Sequence, residues 1–150
     1  MSNPTKPTVI LMADDDADDR LLAGDALREC GLGESVRFVE NGEELMDYLL
    51  HRANYSESAA PPRPGLILLD LNMPKKDGRE ALREIKANPE LRQIPVIVFT
   101  TSNSDVDIHC TYDLGANSFI PKPVRFDSLV NVMKALGAYW LGVVQLPQRR

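Results

Sequence analysis

The chain has 150 residues, 43% of them hydrophobic, with a formal charge of −5 at pH 7 and a pI near 5.0. This length suits a single domain with one core, and the acidic balance argues against a general nucleic-acid-binding protein. No run of about 18 apolar residues is present, so we expect a cytoplasmic protein with no membrane contact. Cys30 and Cys110 match no metal or redox spacing, and we expect free thiols.

The first half of the chain alternates short apolar runs with helical patterns. The run from Thr8 to Ala13 predicts a strand, and apolar spacing predicts a helix from Asp16 to Cys30. A second strand is predicted over Val36 to Val39, followed by a helix that includes Leu45 to Leu49. The segment from Arg52 to Gly65 holds three prolines and no apolar period, which is typical of a long loop.

The second half repeats this alternation. The apolar runs predict strands over Leu66–Leu69, Val96–Phe99 and Asn117–Ile120. The helical patterns predict helices over Arg79–Lys86, from Ser104 to Leu114, and from Phe126 to about Leu141. Five strands separated by helices predict an α/β fold with a doubly wound parallel sheet.

Polar residues follow three of the predicted strands. Asp14 and Asp15 follow the first, Asp70 ends the third, and Thr100 follows the fourth. Because ligands bind at the carboxyl ends of the strands in such sheets, we expect these groups to share one crevice. A phosphoryl-accepting carboxylate needs a divalent cation with oxygen ligands, and a cation such as Lys122 for the phosphoryl oxygens.

Several motifs carry a family resemblance: Asp14-Asp15, Asp70-Leu71-Asn72-Met73-Pro74, Asp77-Gly78, Phe99-Thr100-Thr101-Ser102 and Phe119-Ile120-Pro121-Lys122-Pro123. Together they resemble the receiver domain of bacterial two-component response regulators. The resemblance implies a flavodoxin-like sheet of order 2-1-3-4-5 with helices on both faces. It extends over a receiver of residues 8–141 and leaves an extension over 142–150, while residues 1–7 lack an apolar signal core and indicate a flexible tail.

The resemblance also implies the chemistry of the site. Asp70 would accept a phosphoryl group from the phosphohistidine of a partner histidine kinase. Asp15, Asp70 and the backbone carbonyl of Asn72 would hold Mg²⁺, and Asp14 would act mainly through water. Such a protein is not an enzyme with a separate substrate, because it catalyses only its own phosphorylation and dephosphorylation.

Three further residues receive roles from the same resemblance. Thr100 and Lys122 would bind the phosphoryl oxygens, and movement of Thr100 would let Phe119 turn inward as a switch. The bond between Lys122 and Pro123 would be cis. The face made by the fourth helix, the fifth strand and the last helix would then change its preference for partners.

Within the family, the chain most resembles stand-alone regulators paired with phytochrome-type histidine kinases. The features that support this are the insert from Arg52 to Gly65, the Asp70–Gly78 stretch, and the terminal residues Tyr139-Trp140 and Leu146-Pro147. No output domain is expected after Arg150. We therefore expect no direct DNA binding and an output through changes of partner.

The last helix is more apolar than one packing stripe requires. Its apolar residues continue from Leu129 through Val144. The surplus predicts a second contact surface, such as a kinase-docking patch or a homodimer interface. We expect a homodimer formed through the fourth helix, fifth strand, last helix and C-terminal extension.

Other interpretations of the same residues remain open. The acidic run after the first strand is also typical of a solvated helix start, where carboxylates complement the helix dipole. An aspartyl phosphohydrolase would need an acid two residues after Asp70, where this chain has Asn72. A phosphorylation-independent binding module and a phosphate shuttle are the remaining alternatives.

Overall fold

The computed structural model describes residues 8–56 and 60–147, and its centre is one parallel sheet. The five strands are β1 Ile10–Ala13, β2 Val36–Val39, β3 Leu66–Leu69, β4 Val96–Thr100 and β5 Ser118–Pro121. Their order is β2-β1-β3-β4-β5, and every neighbouring pair is parallel. The predicted fold class and strand order are confirmed.

The helices lie close to the predicted positions: α1 Ala17–Glu29, α2 Gly42–Leu50, α3 Gly78–Ala87, α4 Asp105–Asp113 and α5 Phe126–Gly137. Asp16 and Cys30, predicted as the ends of the first helix, are its caps, and Asp16 accepts hydrogen bonds from Asp18 N and Asp19 N. The predicted last helix divides, because a π-helical segment, Ala138–Val143, follows α5. This segment includes residue 141, where the sequence analysis placed the boundary between the receiver and the C-terminal extension. That boundary stays a prediction.

Alternate strand residues feed two core clusters on opposite faces of the sheet. On one face, Ile10 and Met12 pack with apolar residues of α1 and α5. On the other face, Leu11 and Ala13 pack with apolar residues of α2 and α3. This period of two places helices on both faces and leaves the strand ends free to carry polar groups.

The predicted long loop packs against α2. Residues 53–55 form a 3-10 turn, and the hydroxyl of Tyr55 donates to Glu44 Oε2 at 2.6 Å. The hydroxyl of Tyr48 donates to the carbonyl of Pro62 at 3.1 Å, and the two tyrosine rings lie 5.2 Å apart. The loop is therefore anchored to α2 at two places, residues 55 and 62.

Two of the sequence predictions lie wholly or partly outside the described residues. The predicted tail over 1–7 lies outside them, and so does the end of the predicted extension at 148–150. Within the described ranges, the helices are too short or too polar to cross a membrane.

Candidate functional site

The main-chain ladder of the sheet places the site residues at the carboxyl ends of the strands. Asp14 N donates to the carbonyl of Val39, and Asp70 N donates to the carbonyl of Ala13, each at 3.0 Å. Asp14 and Asp70 therefore follow directly on paired strands, and their side chains meet in the predicted crevice.

Three carboxylates form a compact oxygen cluster there. Asp14, Asp15 and Asp70 each offer one oxygen, and these oxygens lie within 4.8 Å of one another. Asp14 is fully buried and Asp70 is 7% exposed, while Asp15 is open to solvent. An all-oxygen set with one open side suits a hard divalent cation that keeps some of its water.

Lys122 brings the positive charge into this cluster. Its Nζ donates to Asp14 Oδ2 at 2.5 Å, to Asp19 Oδ2 at 2.8 Å and to Asp70 Oδ2 at 3.3 Å. Its backbone N–H donates to the carbonyl of Thr100 at 2.7 Å, which fixes the start of the side chain. The predicted convergence of Asp14, Asp70 and Lys122 at one place is what the structure has.

Asp19 is the site residue that the sequence analysis missed. It lies in the first turn of α1, where acidic residues are expected for the helix dipole alone. The available signal was its position in the acidic run, in the first turn of the helix that begins shortly after β1.

The charges of this cluster shift its pKa values. Burial lowers the pKa of Lys122, but its hydrogen bonds to Asp14 and Asp19 outweigh burial and hold the pKa above its usual value. Burial raises the pKa of Asp14 despite the hydrogen bond from Lys122. The two shifts thus have different main causes, since burial dominates at Asp14 while the surrounding carboxylates dominate at Lys122.

Thr100 completes the contacts of Asp70. The Thr100 hydroxyl donates to Asp70 Oδ1 at 2.8 Å, and Thr100 is fully buried. Asp70 Oδ2 faces Lys122, so both oxygens of this carboxylate are hydrogen bonded. These are the two residues that the sequence analysis assigned to the phosphoryl oxygens.

The loop after β3 is held close to the site. Gly78 N donates to the carbonyl of Leu71 at 2.9 Å, and a Cβ at Gly78 would collide with the backbone carbonyl of Asp70. Only glycine allows this approach, which accounts for the Asp77-Gly78 pair. Asn72 lies in this loop with an exposed side chain.

Phe119 lies on β5, opposite Val98 of β4, and is partly buried against the cluster on the α2–α3 face. The cis bond implied between Lys122 and Pro123 is wrong, since the described residues contain no cis peptide bond. Trans is the lower-energy form for the bond before proline, and Lys122 reaches the carboxylates from it.

A second charged group lies between the starts of α3 and α4. Arg79 donates to Asp77 Oδ2 at 3.0 Å and to Asp107 Oδ1 at 2.7 Å, and Ser102 donates to Asp107 Oδ2 at 2.6 Å. We call Asp77, Arg79, Ser102 and Asp107 the Arg79 cluster. The hydrogen bonds from Ser102 and Arg79 hold the pKa of Asp107 below its ordinary value.

The apolar residues of the C-terminal region divide into two sets. Leu129, Met133 and Leu136 are buried in the core. Tyr139 and Val143 of the π-helical segment are 51% and 71% exposed. Part of the surplus that the sequence analysis noted is therefore at the surface, while Trp140 and Leu141 of the same segment pack against the core.

A family model for the response regulator receiver domain matches residues 10–134. The chain belongs to the response regulator receiver family. Among receivers, it is similar to the response regulator Rcp1 of Synechocystis sp., with 40% identity over 146 residues, 97% of this chain and 96% of Rcp1.

Solved receiver structures agree with this assignment. The Mn²⁺-bound form of Rcp1 has a TM-score of 0.83 and 37% identity, covering 95% of this chain and 100% of that one. The phosphorylated cyanobacterial phytochrome response regulator RcpA has a TM-score of 0.87 and 39% identity, with the same coverage of 95% and 100%. The predicted family and the likeness to phytochrome response regulators are confirmed.

Proposed function

We propose that this receiver accepts a phosphoryl group on Asp70 from the phosphohistidine of a histidine kinase. The observation that carries the proposal is the setting of Asp70, which is nearly buried beside Thr100, Lys122 and two further carboxylates. A nucleophile at a strand end, with charged groups fixed around it, is the arrangement that phosphoryl transfer needs.

In the proposed step, a carboxylate oxygen of Asp70 bonds to phosphorus as the bond from phosphorus to the imidazole nitrogen breaks. The imidazole leaves with the electron pair of that bond. Lys122 and Thr100 already contact the two oxygens of Asp70, so small movements bring their donors to the incoming phosphoryl oxygens. The chain thus supplies the nucleophile and two of the groups that stabilise the transferred charge.

A divalent cation is part of this proposal, held by Asp14, Asp15, Asp70 and the backbone carbonyl of Asn72. The oxygen cluster and the Mn²⁺ bound to the similar Rcp1 support a cation, and we propose that it is Mg²⁺. When bound, the cation would neutralise negative charge that gathers during transfer.

The proposed output is a change of the surface near β5. Phosphorylation adds about two negative charges beside Thr100. Phe119 lies on β5, two residues before Pro121, which pairs with Thr100 of β4. A shift of Thr100 toward the phosphoryl group would leave room for Phe119 to repack from its partly buried position. A local change of charge would thus bias the face that α4, β5 and α5 present to partners.

The proposed kinase is of the phytochrome type, because the similar RcpA is a phytochrome response regulator. The predicted cytoplasmic location belongs to the same proposal. Incubation with acetyl phosphate and Mg²⁺, followed by intact-mass measurement, tests the chemistry without the kinase. We expect a gain of one HPO₃ group that is absent in Asp70→Asn and after addition of EDTA. A wild-type chain with neither this adduct nor beryllofluoride binding would contradict the proposal.

An aspartyl phosphohydrolase is the weaker alternative. Asn72, two residues after Asp70, is an amide and cannot give and recover a proton as a general acid. Turnover of p-nitrophenyl phosphate faster than loss of the Asp70 adduct would favour the hydrolase instead.

We also propose that the receiver forms a homodimer through α4, β5, α5 and the segment that follows. The exposed Tyr139 and Val143 support this surface. Light scattering after size exclusion should give twice 16.7 kDa for the wild type and a monomer for a Tyr139→Ser, Val143→Ser variant. A wild-type monomer at high micromolar concentration would contradict the dimer.

A further inference from the structure

Asp19 contacts Lys122 although it does not belong to the oxygen cluster proposed for the cation. Asp19 Oδ2 lies 2.8 Å from Lys122 Nζ, closer than Asp70 Oδ2 at 3.3 Å. The Asp19 side chain is 34% exposed, whereas that of Lys122 is 9% exposed. Asp19 therefore approaches the ammonium group from the rim of the crevice.

The local structure of α1 fixes this approach. The cap residue Asp16 accepts hydrogen bonds from the backbone N–H groups of Asp18 and Asp19, which sets the first turn of the helix. Asp16 N in turn donates to Asp14 Oδ1 at 2.9 Å, so the turn is tied to the site. Asp18 is in the same turn but is exposed, and its side chain provides a natural comparison.

The hydrogen-bond capacity of Lys122 makes Asp19 important. An ammonium group has three N–H donors, and here they face Asp14, Asp19 and Asp70. A divalent cation at the oxygen cluster would draw on Asp14 and Asp70 and would repel the ammonium group. Asp19 is the one of the three partners outside that cluster, so its attraction for Lys122 would persist.

We propose that Asp19 is a positioning residue that holds the Lys122 ammonium group beside Asp70 while the cation and the phosphoryl group occupy the site. This inference rests on the proposed function of Asp70. It gives Asp19 no contact with the phosphoryl group. Asp19 acts through Lys122 alone, and its removal lets the long side chain of Lys122 turn toward solvent.

The test compares beryllofluoride binding, at saturating Mg²⁺, in the full-length wild type and in Asp19→Asn, Asp19→Glu and Asp18→Asn. Asp18→Asn is the matched control, since it removes one charge from the same helical turn. We expect about fivefold weaker binding in Asp19→Asn, the effect of one partly exposed ion pair. Asp18→Asn should bind like the wild type, and Asp19→Glu should recover most of the loss.

A second measurement separates positioning from a general structural role. In a Lys122→Met background, Asp19→Asn should change beryllofluoride affinity no further, because the residue through which Asp19 acts is gone. Melting temperatures without Mg²⁺ identify any variant that is not folded at the assay temperature. An additional fivefold loss in the Lys122→Met background would overturn the proposal.

Two other outcomes would also overturn it. Equal binding by Asp19→Asn and Asp18→Asn would mean that Lys122 needs no further partner. Tighter binding by Asp19→Asn would mean that Asp19 competes with the phosphoryl group for Lys122. In both cases the wild type still binds beryllofluoride, whereas failure of the wild type to bind or to gain an adduct would count against the proposed function itself.

Discussion

Two charged groups lie at the same edge of the sheet and differ in depth. We call Asp14, Asp15, Asp19, Asp70 and Lys122 the acceptor cluster. Its central residues are buried, with Asp14 fully enclosed and the Lys122 side chain 9% exposed. In the Arg79 cluster, the side chains of Arg79 and Asp107 are 28% and 18% exposed.

The two clusters also differ in charge balance. The acceptor cluster holds four carboxylates and one ammonium group, which contacts three of them, whereas two carboxylates contact one guanidinium group in the Arg79 cluster. A buried excess of negative charge is costly unless something else neutralises it. The difference indicates that the acceptor cluster is suited to bind a cation. The Arg79 cluster needs no further positive charge, and it joins the starts of α3 and α4.

The largest expected effect comes from replacing the positively charged side chain of each cluster in turn. Lys122→Met keeps an apolar stem but leaves buried carboxylates unpaired, so the free energy of unfolding should fall by about 3 kcal/mol. Arg79→Met makes the same kind of change nearer the surface and should cost about 1 kcal/mol or less. Urea unfolding at pH 7 with EDTA measures both.

This comparison has its own control. Lys134→Met, at an exposed position of α5, should change the free energy of unfolding little. Equal losses for Lys122→Met and Arg79→Met would show that burial does not distinguish the clusters.

A divalent cation should stabilise the acceptor cluster and leave the Arg79 cluster unaffected. At a Mg²⁺ concentration of about 100 times Kd, the free energy of unfolding rises by about 2.7 kcal/mol. For a chain of this size, that corresponds to a rise in Tm of about 5 to 10 °C. Differential scanning calorimetry with Mg²⁺ and with EDTA measures the shift.

Variants connect this shift to particular residues. Asp15→Asn removes the exposed carboxylate of the oxygen cluster and should reduce the Mg²⁺ shift by more than half. Asp107→Asn should leave it intact, since Asp107 belongs to the other cluster. A shift that survives in Asp15→Asn and disappears in Asp107→Asn would place the cation elsewhere.

Much of the fold and site was predictable, because the patterns are local. The all-apolar run of β3 and the turn residues between elements predict a parallel sheet with helices. Strand ends carrying Asp14, Asp70 and Thr100 then predict one crevice, and the hydrogen bonds of Asp70 with Thr100 and of Lys122 with Asp14 and Asp70 agree. The resemblance supplied the roles, which stay proposals.

What the sequence could not predict depends on tertiary contact. Asp19 was hidden among acidic residues typical of a helix start, and only the tertiary fold, which packs α1 against α5, brings it to Lys122. The pairing of Arg79 with Asp107 joins residues 28 positions apart, with no motif to signal it. The helical pattern after α5 likewise gave no sign of the π-helical segment.

The smallest expected effect concerns the pH dependence of the Arg79 cluster. The pKa of Asp107 is lowered in the folded chain, first by Ser102 and then by Arg79. A lowered pKa stabilises the fold above the ordinary value of 3.8, and that stabilisation is lost as the pH falls through the folded pKa.

Asp107→Asn should therefore lower Tm by about 1 to 3 °C at pH 7, and by progressively less as the pH falls below the ordinary pKa of 3.8, because the stabilisation from the lowered pKa is then lost. Asp105→Asn is the matched control, because Asp105 is an exposed carboxylate in the same turn of α4. A deficit for Asp107→Asn that stays constant from pH 7 to pH 3 would mean that Asp107 acts by hydrogen-bond shape rather than charge. The Arg79 cluster would then contribute to stability independently of pH. Of the two clusters, only the acceptor cluster would then influence stability through its charge.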